Sequence, residues 1–214
     1  TSNQIADSGN IRFRANSTIT LGGRMETNGS VSLISDTASI LDGDSDASID
    51  VIASGLRVSA VGFGSLANPV ETDLDQFAAA VTTGGIFLDD AGALTVGTVV
   101  TSVNRVASDA TESPITDATL TGATTTTSDI ALTSAGNMTL ETIQTTSDVT
   151  LTSTGGSILD GGDTEQDVVA DGLTLIAETG LGRNGIGALD LDVNHLDATN
   201  NAIGSAHLTL GSTT

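Results

Sequence analysis

Apolar residues in this chain fall in short alternating runs: Ile11, Phe13; Val31, Leu33; Val51, Ala53; Ile130, Leu132; Val149, Leu151. Side chains that alternate from one face to the other predict β-strands, here of three to five residues. The runs recur regularly. Ile11, Val31 and Val51 are 20 residues apart, and Ile130, Val149 and Val168 are 19 apart. A second series, from Ile19 and Leu21 to Ile40 and from Met138 and Leu140 to Ile158, follows at similar spacing. Strands returning at this interval predict an all-β fold, a parallel β-helix (β-solenoid) with coils of about 19–20 residues. One coil cannot bury its apolar face alone, but stacked coils join into one aliphatic column. Ten or eleven such coils would make a rod on the order of 50 Å long at ~4.8 Å per coil.

A longer period lies above the coil. GSVSLISDTASILDGDSDASIDVIASGLRVSA (29–60) aligns with SDVTLTSTGGSILDGGDTEQDVVADGLTLIA (147–177), pairing Val31 with Val149 and Ile40 with Ile158 at an offset of 118. The match continues upstream, from 9–21 to 128–140, and downstream, from Phe77 to Leu196. The chain therefore divides into a first solenoid repeat over 1–107, an irregular inter-repeat coil over 108–127 that continues the rod, and a second, truncated repeat over 128–214. Turns are expected where Gly, Asn, Asp and Ser gather, as at 8–10, 28–30, 41–44, 134–137 and 154–157. The segment 61–81, with Pro69, is expected to bulge out or to carry a helical turn.

Composition narrows the functional classes. The core must be aliphatic, because there is no Trp or Tyr and only 4 Phe. The cations are 6 arginines against 27 acids, a net charge of −21, which repels nucleic acid and anionic lipid alike. No nucleic acid partner and no membrane insertion are expected, and no apolar run approaches the ~20 residues of a membrane-spanning helix. Without cysteine the fold has no disulfide, zinc–thiolate site or cysteine nucleophile.

The 118-residue repeat, the ILDG turns, the strands SGLRVSA and DGLTLIA, GGIFLDDAGALTVG (84–97) and SVNRV (102–106) together resemble the tandem β-helical shaft repeats of filamentous haemagglutinin-like giant bacterial adhesins and exoproteins. That resemblance implies a right-handed coil, export to the bacterial cell surface with the secretion signal outside this stretch, and a role as a shaft that projects binding modules. Partners would be adjacent copies of the same repeat or chain, or surface glycans and proteins. A filament-forming subunit and a carbohydrate-binding module, the latter using the 61–81 bulge, are the alternatives.

Candidate chemistry centres on ILDGDSDASIDV (40–51). Asp42, Asp44, Asp46 and Asp50 resemble the opening of a calcium loop, although Ala47 and Ala53 stand where an EF-hand has Gly and Glu. In the second copy only Asp160 and Gly161 of this pattern persist, so a coil corner is the competing explanation. Calcium is the sole cofactor suggested. Carboxylate pairs at Asp73/Asp75, Asp89/Asp90 and Asp190/Asp192 lack the aromatic platforms of sugar-cleaving clefts, and no enzyme activity is expected. His195 and His207 are expected on the surface, and Arg105 is expected to face outward or to pair with Asp109. Thr-rich runs such as 150–154 suggest ice-binding arrays but do not recur on one face from coil to coil.

Overall fold

The computed structural model describes residues 4–6, 9–44, 46–162, 164–202 and 204–211. Ser8 of the expected 8–10 turn and Asp163 lie outside them. The described residues contain no helix and form a parallel β-solenoid of about 9 turns. The first coils are three-sided, with strands such as Met25–Thr27, Ser30–Ser35 and Ile40–Asp42 closing one turn.

Successive coils pair in parallel and in register, Ile11 with Val31, Val31 with Leu56, and Leu56 with Phe77. This places the alternating apolar positions over one another. Val31, Leu33, Leu56, Val58 and Phe77 are fully buried in one continuous column with Ile130, Leu151, Leu175 and Leu189. Each buried aliphatic side chain contributes about 1.5–3 kcal/mol relative to an exposed one. Phe63 and Phe77 sit side by side in this column, ring centroids 5.9 Å apart, and are its largest fillers.

Coil length is less uniform than the sequence period suggests. Val31 stacks on Leu56, 25 residues on, and Val70 stacks under Leu88, 18 on. Longer coils give about 9 turns in place of ten or eleven. The largest departure follows Val96. That residue continues the stack of Phe77, yet the stack of Ala79 is continued by Ala123, so the segment 97–122 is inserted where the preceding coil has one residue, Ala78. Its two ends are held together by the Gly122 amide, which donates to the Gly97 carbonyl at 2.9 Å.

The inserted segment is an antiparallel extension. Thr98–Val99 pairs with Leu120–Thr121, and Ser102–Val106 pairs with Glu112–Thr116. The 108–127 stretch thus holds one arm of a hairpin that starts before it, and its Ile115 pairs with Val103 in that hairpin and not with a neighbouring coil. The hairpin folds back over earlier coils. Arg12 binds Asp117, the Arg57 Nε donates to the Ala118 carbonyl at 2.7 Å, and the Asn10 amide donates to the Ser102 carbonyl at 2.8 Å. Beneath it Ser32, Arg57 and Ala78, which point away from the core, are buried.

The 61–81 segment also differs from expectation. Val70–Val81 is a 12-residue strand within the ladder, and Val70, Leu74 and Phe77 are core residues. Only the short loop around Leu66 projects, closed by Ser65 and Asn68. Alternating Val70, Thr72 and Leu74 carry a strand's period, which overrides the break at Pro69.

The insertion also changes how the two copies lie on the rod. In the first copy Ile40 stacks with Phe63 and Ile86, and Val51 with Thr72. The strand Ile86–Asp90 then takes over both series, since Ile86 follows Phe63 while Leu88 and Asp90 follow Val70 and Thr72. One corner is lost there. A new one opens on the far side, where the strand through Phe77 and Ala79 is succeeded by Val96 and Ala123. As a result Val149, the copy of Val31, stands in the stack of Ile40, while Ile158, the copy of Ile40, stands in the stack of Leu94 and Met138. The two ILDG corners consequently face opposite sides of the rod.

Candidate functional site

The ILDG corner is built the same way in both copies. The Gly43 amide donates to the Leu21 carbonyl of the preceding coil at 2.5 Å, and Gly161 donates to Leu140 at 2.8 Å. A Cβ on Gly43 would lie 2.5 Å from that carbonyl oxygen and 2.7 Å from Thr20 Cγ2, which accounts for glycine. The preceding aspartate closes the turn: Asp42 Oδ1 accepts the Asp44 amide at 3.2 Å and Asp160 Oδ1 accepts the Gly162 amide at 2.8 Å. Asx-turns of this kind are a structural use of aspartate.

Of the four acids proposed from sequence, the fold brings two together. Asp42 and Asp50 are buried at the corner, whereas Asp44 and Asp46 are exposed. Asp46 accepts the Ser48 amide at 2.6 Å. The third member of the cluster is Glu71, one coil further on. One carboxylate oxygen each from Asp42, Asp50 and Glu71 lies within 4.8 Å of the other two. Backbone pairing sets this up, because the Asp50 amide donates to the Glu71 carbonyl at 2.9 Å. Glu71 was invisible in the loop-like sequence pattern. A coil offset of 21, such as that joining Val51 to Thr72, would have found it.

The cluster is electrostatically costly. Asp50 is only 3% exposed, and its Oδ2, like Glu71 Oε2, is buried without a hydrogen-bond partner. Burial pushes the Asp50 carboxyl up to about 7; the charges of Asp42, Glu71 and Asp44 add to this, and the Glu71 amide opposes it. Burial and the charges of Asp42, Asp89 and Asp44 also raise Glu71. Beside the cluster lies an open cleft of about 540 Å³ lined by Gly23, Arg24, Asp44, Ser48, Ile49 and Asp50. Arg24 pairs there with Glu26 at 2.7 Å.

Asp90 shows what a satisfied corner carboxylate looks like. It is 1% exposed, but Oδ2 accepts the Thr72 hydroxyl at 2.8 Å and the Leu74 amide at 2.9 Å, and Oδ1 accepts the Gly92 amide at 2.9 Å. Its neighbour Asp89 is exposed on the opposite face of the strand, so these two acids do not converge. Asp73 and Asp75 are both exposed, and Asp190 and Asp192 are half-buried.

The remaining candidates occupy structural or surface positions. His195 is exposed and His207 half-buried. Arg105 is exposed on the hairpin, and Asp109 accepts the Thr111 amide and hydroxyl. Many threonines and serines serve the corners: the buried Thr125 and Thr145 hydroxyls each donate to a backbone carbonyl at 2.7 Å, on Gly84 and Ser128. The outward row Thr133, Thr152, Ile176, Thr199 and its neighbour Ala131, Thr150, Thr174, Asp197 are interrupted as hydroxyl arrays.

No helix among the described residues is long and apolar enough to cross a membrane. No protein-family model, curated protein or solved structure matches this chain.

Proposed function

We propose that this chain is a non-catalytic shaft segment of a large exported bacterial surface adhesin or fibre, which holds binding modules away from the cell. The observation that carries the reading is the unbroken parallel ladder through about 9 turns, with the hydrogen bonds directed along the rod and a single aliphatic column inside it. Such a stack is stiff along its length and grows by adding coils. The net charge of −21 favours solubility and opposes lateral aggregation. The surface clefts, open and without Trp or Tyr, offer little to a sugar ring. The bacterial cell-surface location and the right-handed coil rest on the resemblance to filamentous haemagglutinin-like shafts.

The absence of cysteine makes the test direct. Spin labels on cysteines placed at the exposed Thr20 and Ala202 should give one narrow distance distribution on the order of 35 Å, set by the coil spacings of ~4.8 Å that separate them along the ladder from Ile19 to Leu196. A broad distribution would show a flexible chain and end the spacer reading.

A second reading is a subunit that assembles end to end or laterally into a filament by extending the coil stack. Sedimentation that shifts to larger species with concentration would favour it.

A further inference from the structure

We propose that Asp42, Asp50 and Glu71 bind a calcium ion at the corner between the second, third and fourth coils. Three carboxylates lie within ligand-sharing distance, one oxygen from each within 4.8 Å of the others. Acidic groups can gather on a surface without a ligand, but here Asp50 is withdrawn from solvent and its Oδ2 accepts no hydrogen bond. Asp90, equally buried, is supplied with three donors. A buried carboxylate is normally neutralised by donors, an opposite charge or a proton. Asp50 has acids on two sides, and the nearest cationic side chain lining its cleft, Arg24, is engaged with Glu26. A dication would satisfy the open oxygens of Asp50 and Glu71 together.

The donor set fits calcium. It is all oxygen, anionic and open on one side to a water-accessible cleft, as required by an ion that takes six to eight oxygen ligands in flexible geometry. Magnesium demands a tighter octahedron at about 2.0–2.1 Å and keeps its waters. Asp44 lines the same cleft and adds negative charge from outside; Asp46 is turned to Ser48 and takes no part.

The second copy supplies an internal comparison. Asp167 occupies the place of Asp50, its amide donating to the Asp190 carbonyl at 2.9 Å as Asp50 donates to Glu71. Asp190 is one methylene shorter than Glu71, and its amide donates to Asp167 Oδ2 at 2.8 Å. Among the described residues, Asp160, Asp167 and Asp190 form no such cluster. The structure therefore assigns one site, in the first copy.

Thermal melts of the whole chain in EDTA, calcium and magnesium test this. Calcium should raise the melting temperature with a midpoint on the order of 10⁻⁴–10⁻³ M, the range of weak calcium modules, and magnesium should do much less. The partly exposed Glu71→Gln should fold and lose the calcium shift, whereas the Asp44→Asn, Asp46→Asn double variant should keep most of it. Directly excited europium luminescence should report displaced coordinated waters in the parent and not in Glu71→Gln. No calcium shift up to several millimolar, an undiminished shift in Glu71→Gln, or a shift abolished by the Asp44/Asp46 pair alone would overturn the assignment. In the first of these cases the cluster holds protons only.

Discussion

Arg12 and Asp117, 105 residues apart in the chain, meet so that the Arg12 Nε lies 2.9 Å from each carboxylate oxygen. This ion pair fastens the inserted hairpin to the face of the first coils, and Arg57 reinforces it by donating to Ala118. Ser32 and Arg57 owe their burial to it.

The clamp should impose a pH dependence. Burial pushes the Asp117 carboxyl up, but hydrogen bonds from Arg12 and Ser32 and the charges of Arg12 and Arg57 together hold it below the usual range. Folding then binds fewer protons than unfolding does near the ordinary aspartate pKa of about 3.9. The stability it contributes is full above that value and disappears as pH falls through the folded pKa. Arg12→Met should therefore cost about 1–3 kcal/mol at neutral pH, measured by urea melts, with the gap to the parent narrowing below about pH 4.

Gly122 is fixed by backbone conformation. Its φ is +71°, and a Cβ would run into the Thr142 carbonyl oxygen of the next coil. Gly122→Ala should destabilise the fold by more than the ~1–2 kcal/mol of a left-handed residue alone. Hydrogen exchange should show the loss first at the base of the hairpin, around Gly97.

Asp90→Asn should expose the role of the satisfied corner. An amide can replace one acceptor oxygen, but its NH₂ would face a donor, either the Gly92 amide or the pair from Thr72 and Leu74. A cost of about 1–3 kcal/mol follows from an unmet buried donor. A melting temperature unchanged from the parent would show that the corner repacks.

Leu132→Ala removes a 1% exposed side chain stacked between Leu88 and Leu151. The loss should be about 2–5 kcal/mol. Because each coil touches chiefly its neighbours, the added exchange should fall at 86–90 and 149–153 and spare the distant strand Ile19–Leu21. Uniform exchange along the rod would instead mean that the coils unfold as one unit.

Much of the fold was legible because a solenoid writes its stacking into the spacing of its strands. Val31 over Ile11 and Val149 over Ile130 follow from the 20- and 19-residue intervals. The hairpin was not legible: Val103 and Ile115 alternate like any coil strand, and nothing local distinguishes pairing with each other from pairing with a neighbouring coil. The acid cluster was half legible. Asp42 and Asp50 were found in a loop motif, but the partner of Asp50 is chosen by the height of a coil, which brings Glu71 over it and leaves Asp44 and Asp46 outside. The constant ILDG was correctly legible as a corner, and the structure adds that its glycine is required by the carbonyl beneath it.

The hairpin insertion, and the exchange of corners that goes with it, sets the two ILDG turns back to back across the rod. Anything attached at one ILDG turn is therefore held the full thickness of the rod away from anything attached at the other.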